Sequence, residues 1–570
     1  MRRVLRILAL IAAAALILYG MLQSDDKRWL LCLWGAAPLL MFAFWPAQDG
    51  LVQGVRRGVL NLGVVFGVGL ILLSVQLLRL QVVRADSVYH RTVTDEQGRV
   101  TSNVRLVRQA MQVLRGDIVD RHGLTLASSA EVAGGFALRT YPVASQYNLA
   151  AFSNLLGFVS TRFGLAGIEE SYNSYLTGER GSAWERIKDD IFHRQQRGNH
   201  LHLTIDARLQ AAVYDLLGGR PGSVVVLDPS TGAILAMASY PGFDPQALTF
   251  NPGAEDWDAE NQRMSAYWKD LIADERKPLL NRPAQGLYPP GSTFKTVTAV
   301  AALKYPDVAR PNQIDCPNER PTEPGAPPVV NAVEDEFRFT GDPSDLRRVY
   351  AFSCNTAFAE YGLRLGADRL ADVAEEFHIF RPDEAPEQNP DFTDLPSPAS
   401  LLYVSEGFLE SKAAVADTAF GQGQLLVTPL QMALVAAAIG NDGQMMHAYL
   451  VDHATDPNGT VVYRARPRVA NRVMSPQVAA QMRDLMRAVV ENGWESAKAA
   501  GVQGIVVGGK SGTAENVPGA APHAWFIALA PLDKPRYAVC VMIENGGEGS
   551  SVGARLAGDV LRAAFALEGQ

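Results

Sequence analysis

The stretch Tyr288-Pro-Pro-Gly-Ser-Thr-Phe-Lys295 decides how the rest of the chain is read. Pro289, Pro290 and Gly291 resist helix upstream, so a helix is expected to begin at or just after Ser292 and to cover residues 294–303. Ser292 and Lys295 then lie one turn apart on the same face, within side-chain contact. A serine hydroxyl attacks poorly until a neighbouring base removes its proton. A free lysine, with a pKa of about 10.4, is not such a base at neutral pH. Burial and a second cation nearby lower that value by a few units, and a helix N-terminus favours the developing alkoxide.

Ser-x-x-Lys alone carries little weight, because Ser24 to Lys27 repeats it in a short polar link. Ser353-Cys-Asn355 has its own decoy in Ser171-Tyr-Asn173. Order and context separate signal from decoy. Ser292/Lys295 is followed some 60 residues later by Ser353/Asn355, and roughly 160 after that by Lys510-Ser-Gly-Thr513. This last motif comes directly after Ile505-Val-Val, read as an apolar strand, with Gly508 and Gly509 allowing close backbone approach. A strand edge there offers main-chain groups to an extended peptide.

Outward from these motifs the chain reads as compact α+β from about Leu201. Residues 223–227 and 233–239 are apolar and flank Asp228-Pro-Ser-Thr-Gly232, the pattern of a β-hairpin. Residues 505–507, 524–529 and 537–543 supply three more strands, and helices are expected at 429–439 and 553–567. A sheet assembled from both ends of this region, with helices inserted between, makes one domain. Residues 317–328 and 382–398, rich in proline and acidic residues, read as exposed loops.

The chain opens differently. Apolar runs at about 7–22, 29–46 and 58–78 are each close to the ~20 residues that cross ~30 Å of hydrocarbon. Arg2, Arg3 and Arg6 precede the first, and Arg56 and Arg57 lie between the second and third; Gln-Ser-Asp-Asp-Lys-Arg28, between the first two, is neutral. The positive-inside bias places the arginines in the cytoplasm and everything after Arg79 outside. Two other readings stay open. The first run could be a cleaved signal, although it lacks a small-x-small site, and with Pro38 mid-run the second could be a hairpin or an interfacial segment that does not cross.

Residues 81–200 read as a spacer or pedestal, with a strand–turn–strand pattern over Arg115 to Ala127 turning at Gly123, and a helix over 169–176. This gives three parts: anchor 1–80, pedestal 81–200 and catalytic region 201–570. The net charge of −8 over 570 residues excludes the basic footprint that nucleic acid requires. Of four cysteines, Cys32 lies in an apolar run. Cys316, Cys354 and Cys540 show no disulfide framework and no metal-type spacing.

The three motifs resemble the SxxK, SxN and K[ST]G signatures of penicillin-binding transpeptidases and serine β-lactamases. From about Leu80 onward the chain is similar to class B penicillin-binding proteins. The similarity covers Arg115-Gly-Asp-Ile-Val-Asp-Arg-His-Gly, the 164–169 turn, Leu203-Thr-Ile-Asp206, Gly222-Ser-Val-Val-Val-Leu-Asp-Pro, Gly421-Gln-Gly with Thr428-Pro-Leu-Gln, and His523-Ala-Trp-Phe526. The resemblance implies an antiparallel sheet flanked by helices, an N-terminal pedestal and a membrane anchor; relatives commonly have one span where this chain has three.

It further implies a peptidoglycan D,D-transpeptidase that cross-links stem peptides through a serine acyl-enzyme during cell wall synthesis and is a target of β-lactams. By the same resemblance Ser292 is the nucleophile, Lys295 its base, Ser353 a proton relay and Lys510 the second cation. Asn355, Ser511, Gly512 and Thr513 bind substrate, with the backbone N–H groups of Ser292 and Thr513 as oxyanion hole, and no metal or organic cofactor is required. The region of about 120 residues before the catalytic part is too short for a glycosyltransferase domain, which implies a separate SEDS-family polymerase as partner. His523 reads as structural, Cys354 as pointing into the core, and Gly421-Gln-Gly423 either as a tight turn or as a binding element.

Hydrolytic relatives compete with this reading: a D,D-carboxypeptidase, or a β-lactamase, although no E-x-x-L-N element follows the second motif. A β-lactam sensor would carry H-E-x-x-H, which is absent. A catalytically idle scaffold would not need the complete motif set.

Overall fold

The computed structural model describes residues 2–23, 25–45, 55–84, 93–94, 100–101, 111–180, 195–516 and 519–568. The decoy Ser24, Pro46 at the end of the second apolar run, and much of the early pedestal fall outside them. The chain divides into two compact units, residues 1–110 and 111–570.

The first unit holds three helices long and apolar enough to cross a membrane, Arg2–Met21, Asp26–Phe44 and Arg57–Val83. The first begins five residues earlier than the apolar run, because its arginines continue the helical pattern. Pro38 lies within the second without ending it, which removes the basis for reading a broken hairpin there. Large apolar side chains such as Ile11, Trp34 and Leu70 face outward, as a lipid-facing surface requires. The polar exceptions meet at one end. Arg79 is buried, donates to Asp26 Oδ1 at 2.9 Å and to the Gln23 carbonyl at 3.1 Å, and lies 4.9 Å from the Trp29 ring centroid.

In the second unit, a five-stranded antiparallel sheet takes the order Ile234–Tyr240, Gly222–Leu227, Tyr537–Ile543, His523–Ala530, Gly508–Ala514. Sequence-distant ends of the region do combine, as the apolar segments require. The three central strands are buried along their whole length, so helices must cover both faces. The helix Pro429–Gly440 packs on Tyr537–Ile543 and is itself buried on all sides; the Thr428 hydroxyl caps it by accepting from Gln431 N at 3.1 Å. Ala207–Leu216 and Ala554–Glu568 also pack on the sheet.

The pedestal is not a separate bead. Its strands Ile118–Val119, Thr125–Val132 and Phe136–Thr140 join His200–Leu203, Val451–Thr455 and Val461–Arg464 in one six-stranded sheet. The expected turn is there, with Gly123 at φ +85°. The helix expected over 169–176 is two short ones, Gly167–Ser171 and Asn173–Leu176. The pedestal also carries a charge cluster that sequence reading missed: Glu169 is buried between Arg115 and Arg139.

Three expectations need correction. The strand before the third motif is not Ile505-Val-Val. It is Gly508–Ala514, which contains the motif, and Ile505 closes a turn by donating to the Val502 carbonyl at 3.1 Å. The loop 382–398 is not exposed throughout: Asn389, Asp391, Phe392, Leu395 and Ser397 are buried. Its buried Asp394 accepts from Tyr172 Oη at 2.6 Å and from Leu450 N and Val451 N at 2.6 and 3.1 Å. Acidic residues go inside where backbone donors await them. Finally, Cys316 and Cys354 form a disulfide. Cys354 is indeed buried, but as half of a cross-link between segments 38 residues apart.

Candidate active site

Pro289 and Pro290 lead into a 3-10 turn, Gly291–Phe294, which passes into the helix Lys295–Lys304. The nucleophile candidate therefore sits on the tight turn ahead of the α-helix. In 3-10 geometry residues three apart eclipse one another, so Ser292 and Lys295 still share a face. Gly291 adopts φ +54°, and a β-carbon there would lie 2.5 Å from the Thr513 carbonyl oxygen. Gly512 answers from the other side, where a β-carbon would come within 2.7 Å of the Pro290 carbonyl oxygen. These two glycines let the Ser292 turn and the third motif's strand touch backbone to backbone.

Gly421 backs the same turn. It ends the helix Lys412–Phe420 at φ +98°, and a β-carbon on it would lie 1.8 Å from the Gly291 carbonyl oxygen. That contact is with backbone and has no soft side chain to yield. Gly421→Ala is expected to displace the Ser292 turn and to slow acylation by a β-lactam roughly ten- to a hundredfold, as followed by the time course of covalent labelling.

Ser353 caps the helix Leu346–Phe352 in a left-handed conformation, φ +68° and ψ 34°. A non-glycine residue adopts this region rarely and at some cost. The next residue is tied to Cys316 by the disulfide, and Asn355 opens the long helix Asn355–Glu376. Serine and asparagine are thus presented at the junction of two helices.

The two lysines meet at this junction. Both are fully buried. Lys295 Nζ donates to the Ser353 carbonyl at 2.5 Å, Ser353 Oγ at 3.1 Å and Asn355 Oδ1 at 2.7 Å. Lys510 Nζ donates to Ser353 Oγ at 2.9 Å and to the Ser511 carbonyl at 3.0 Å. One serine hydroxyl bridges two lysine side-chain nitrogens from segments more than 200 residues apart. Aromatic faces line the site: Phe358 lies 5.5 Å from Lys295 Nζ and Tyr350 lies 5.7 Å from Lys510 Nζ.

Burial pushes Lys295 well below the ordinary lysine range, and the charge of Lys510 pushes it further, against an opposing pull from Glu336. Burial lowers Lys510 to about 7, again opposed by Glu336. The lysine of the third motif thus shares the Ser353 hydroxyl with Lys295.

All eight expected site residues lie in this region. Lys295, Ser353, Asn355 and Lys510 form one hydrogen-bonded network. Ser292 is on the adjoining turn, and its hydroxyl makes no hydrogen bond among the described residues, so Lys295 is held by the second motif and not by the serine one turn away. Ser511, Gly512 and Thr513 occupy the strand beside that turn, where Thr513 Oγ1 accepts from Gly549 N at 3.1 Å. His523 is bound on both ring nitrogens: Nδ1 accepts from Asn545 N at 3.0 Å, and Asn516 lies 2.8 Å from Nε2. That is a structural role. Sequence reading missed Glu336, which lies between the first two motifs in sequence and carries no motif of its own.

Comparison with known proteins agrees with this geometry. Residues 222–562 match the family described as the penicillin binding protein transpeptidase domain, and residues 115–201 match the penicillin binding protein A dimerisation domain. The peptidoglycan D,D-transpeptidase PbpA of Mycolicibacterium smegmatis is 36% identical over 507 residues, covering 85% of this chain and 92% of that one. MrdA of Haemophilus influenzae, also named a peptidoglycan D,D-transpeptidase, is 30% identical over 72% of this chain and 64% of its own. Among solved structures, the ceftriaxone acyl-enzyme of penicillin-binding protein A from M. tuberculosis superposes with a TM-score of 0.70 at 30% identity, over 81% of this chain and all of that one. With its site geometry, its two matched domains and these relatives in agreement, the chain belongs to the penicillin-binding protein transpeptidases.

Proposed function

We infer that this protein is a peptidoglycan D,D-transpeptidase and a β-lactam target, acting through a serine acyl-enzyme. The observation that carries the reading is the Lys295–Ser353–Lys510 network beside the Ser292 turn. In the proposed step Ser292 Oγ attacks the carbonyl carbon of the penultimate D-Ala and passes its proton to neutral Lys295. The carbon–nitrogen bond to the terminal D-Ala breaks, and the departing amine receives a proton through Ser353. An amine from a second stem peptide then attacks the ester, restoring Ser292 and forming the cross-link.

Asn355 and the edge of Gly508–Ala514 hold the extended donor peptide, and Ser511 and Thr513 bind its carboxylate under the charge of Lys510. The backbone N–H groups of Ser292 and Thr513 receive the oxyanion, each such donor contributing about 3–4 kcal/mol in comparable acyl transfer.

The domain plan follows as anchor 1–80, pedestal 81–200 and catalytic region 201–570. All three helices of the anchor cross the membrane, with the arginine-bearing ends inside and the catalytic region outside. The meeting of Arg79 with Gln23 and Asp26 supports this, since it puts the end of the third helix beside the link between the first two, and an odd number of crossings follows. A SEDS-family glycosyltransferase supplies the glycan strands; affinity capture of the full chain from native membranes should recover it, and its absence would count against this partner.

The test of the chemistry uses the full-length protein in detergent. Labelling with penicillin followed by peptide mapping is expected to place the adduct on Ser292, and an added D-amino acid should be exchanged into a D-Ala-D-Ala substrate faster than water hydrolyses it. An adduct elsewhere overturns the assignment, and hydrolysis without exchange makes the protein a carboxypeptidase. With both lysines depressed, the pH profile of acylation should rise as Lys295 loses its proton and fall as Lys510 loses its own, the falling limb standing well below the usual lysine pKa.

A further inference from the structure

Two glycines bring the Ser292 turn against the third motif's strand, but van der Waals contact only limits how close they come. Among the described residues no hydrogen bond joins the turn Gly291–Phe294 to the strand Gly508–Ala514. In the reaction proposed above, the oxyanion sits between the N–H of Ser292 and the N–H of Thr513. The spacing of turn and strand must therefore be held from elsewhere.

A link outside the three motifs spans them. Four residues before Ser292, the Tyr288 hydroxyl donates to Glu544 Oε1 at 2.7 Å. Only Pro289, Pro290 and Gly291 separate Tyr288 from Ser292, and the fixed φ of two prolines leaves little slack between them. Glu544 directly follows the strand Tyr537–Ile543, and the next residue, Asn545, donates its N–H to His523 Nδ1 at 3.0 Å. His523 is the register partner of Ala514, the residue after Thr513. The circuit closes where the Tyr288 and His523 rings meet edge to face, with centroids 5.6 Å apart and planes at 86°.

Glu544 is itself held firmly. Arg282, 1% exposed, donates from Nε to Glu544 Oε1 at 2.8 Å, from Nη1 to the Lys277 carbonyl at 3.2 Å and from Nη2 to the Arg276 carbonyl at 2.5 Å. The guanidinium is anchored to backbone, so it fixes the carboxylate and does not follow it. Glu544 N also donates to the Pro221 carbonyl at 2.8 Å. Packing alone would be met by a phenylalanine at 288; the hydroxyl adds the bond to this fixed carboxylate.

We propose that Glu544 is a positioning residue for acylation. It takes the Tyr288 hydroxyl on one side while its backbone neighbour takes His523 on the other, and so holds the Ser292 turn at the spacing from the third motif's strand that the oxyanion needs. It acts through Tyr288 and His523 and not on the reacting atoms. Because the oxyanion forms only as the acyl bond is made, a loosened spacing weakens the transition state more than the bound substrate. The proposal rests on the acyl-transfer reading given above.

The test follows acylation of the full-length protein by benzylpenicillin over a range of concentrations. This separates the dissociation constant of the initial complex from the first-order rate of the chemical step, each counted per site that finally takes label. Tyr288→Phe keeps the ring and the Glu544–Arg282 pair and removes only the link. Its chemical step should slow roughly tenfold, with the initial dissociation constant within about twofold of wild type. Glu544→Gln should slow it at least as much. The double variant should lose no more than Glu544→Gln alone, since both changes cut one link.

A chemical step as fast as wild type at each labelled site of Tyr288→Phe overturns the proposal, even if fewer sites are competent. A merely structural role changes how many sites react and not how fast each one does. A loss carried by the dissociation constant, or losses that multiply in the double variant, overturn it too. Should Glu544→Gln fail to fold because Arg282 is left buried without its partner, Tyr288→Phe decides alone. Failure of the underlying reading is separate and visible in the wild type: no covalent adduct on Ser292.

Discussion

Full-length protein carrying Lys295→Ala should acylate with benzylpenicillin about 10²–10⁴-fold more slowly than the wild type, the range expected when a general base is removed, while Ser292→Ala should take up no covalent label at all. The two losses differ in kind. In the proposed mechanism Ser292 supplies the oxygen that becomes the ester, and nothing else on the turn Gly291–Phe294 replaces it, because Thr293 is buried with its hydroxyl donating to the Pro290 carbonyl at 2.7 Å. In the same proposed mechanism Lys295 supplies a proton acceptor, which water replaces poorly. Because the lysine is fully buried and donates to Ser353 and Asn355, its removal also takes the donor from the Ser353 carbonyl and from Asn355 Oδ1, so some of the loss reflects a loosened second motif.

The pH profile separates the two contributions. If Lys295 is the base, the rising limb disappears from the residual activity of Lys295→Ala, whereas the falling limb due to Lys510 persists. A variant that keeps both limbs, or loses less than tenfold in rate, would move the role of base to another group. Time courses with a fluorescent penicillin at several pH values are enough to decide.

Much of this site was legible before any coordinates because its signals are local. Two prolines and a glycine before Ser292 dictate a chain reversal and helix start, and a spacing of three puts Lys295 beneath it in either helix type. Lys510 was legible through its place beside Gly508, Gly509 and Gly512, although the strand itself was misplaced. Apolarity pointed to Ile505-Val-Val; the true strand Gly508–Ala514 is buried by its neighbours through small residues, as at Gly509, where a β-carbon would lie 2.3 Å from the Phe526 ring.

What stayed hidden depends on contacts between distant segments. The Cys316–Cys354 bond and the burial of Asp394 against Tyr172 leave no periodicity to detect. The same holds for the sheet shared by pedestal and catalytic region. A parallel pairing in it, Ile118–Val119 with His200–Leu203, joins strands about 80 residues apart, too far for any hairpin signal.

The pedestal's stability should depend on Glu169 more than on any apolar residue around it, and Glu169→Ala is expected to cost about 3–5 kcal/mol. Glu169 is wholly buried. Arg139 Nε donates to its Oε1 at 2.6 Å, and Arg115 Nε to its Oε2 at 2.8 Å. Their own exposures are only 2% and 9%, so neither guanidinium reaches bulk water when the carboxylate is gone. The cost arises from two buried like charges left facing each other, and not from the modest net gain of the ion pairs themselves.

Burial alone would raise the pKa of Glu169, but Arg139 and Arg115 outweigh it and hold the carboxyl below its usual range. A carboxylate lowered in the folded state gives stability that is present above its unfolded value of about 4.5 and is lost as pH falls through the lowered folded value. The wild type should therefore loosen here only in acid, and Glu169→Ala at all pH values. Because Ile118–Val119 pairs with His200–Leu203, which in turn pairs with Val451–Thr455, the opening should extend along that sheet.

Hydrogen exchange on the full-length variant at neutral pH is the measurement. Faster exchange over residues 111–180, continuing into His200–Leu203 and Val451–Thr455, is expected, with slower change in the antiparallel sheet that carries Lys510. Exchange indistinguishable from wild type across the pedestal would mean that the two arginines find other partners, and that the cluster contributes little to holding this part of the molecule together.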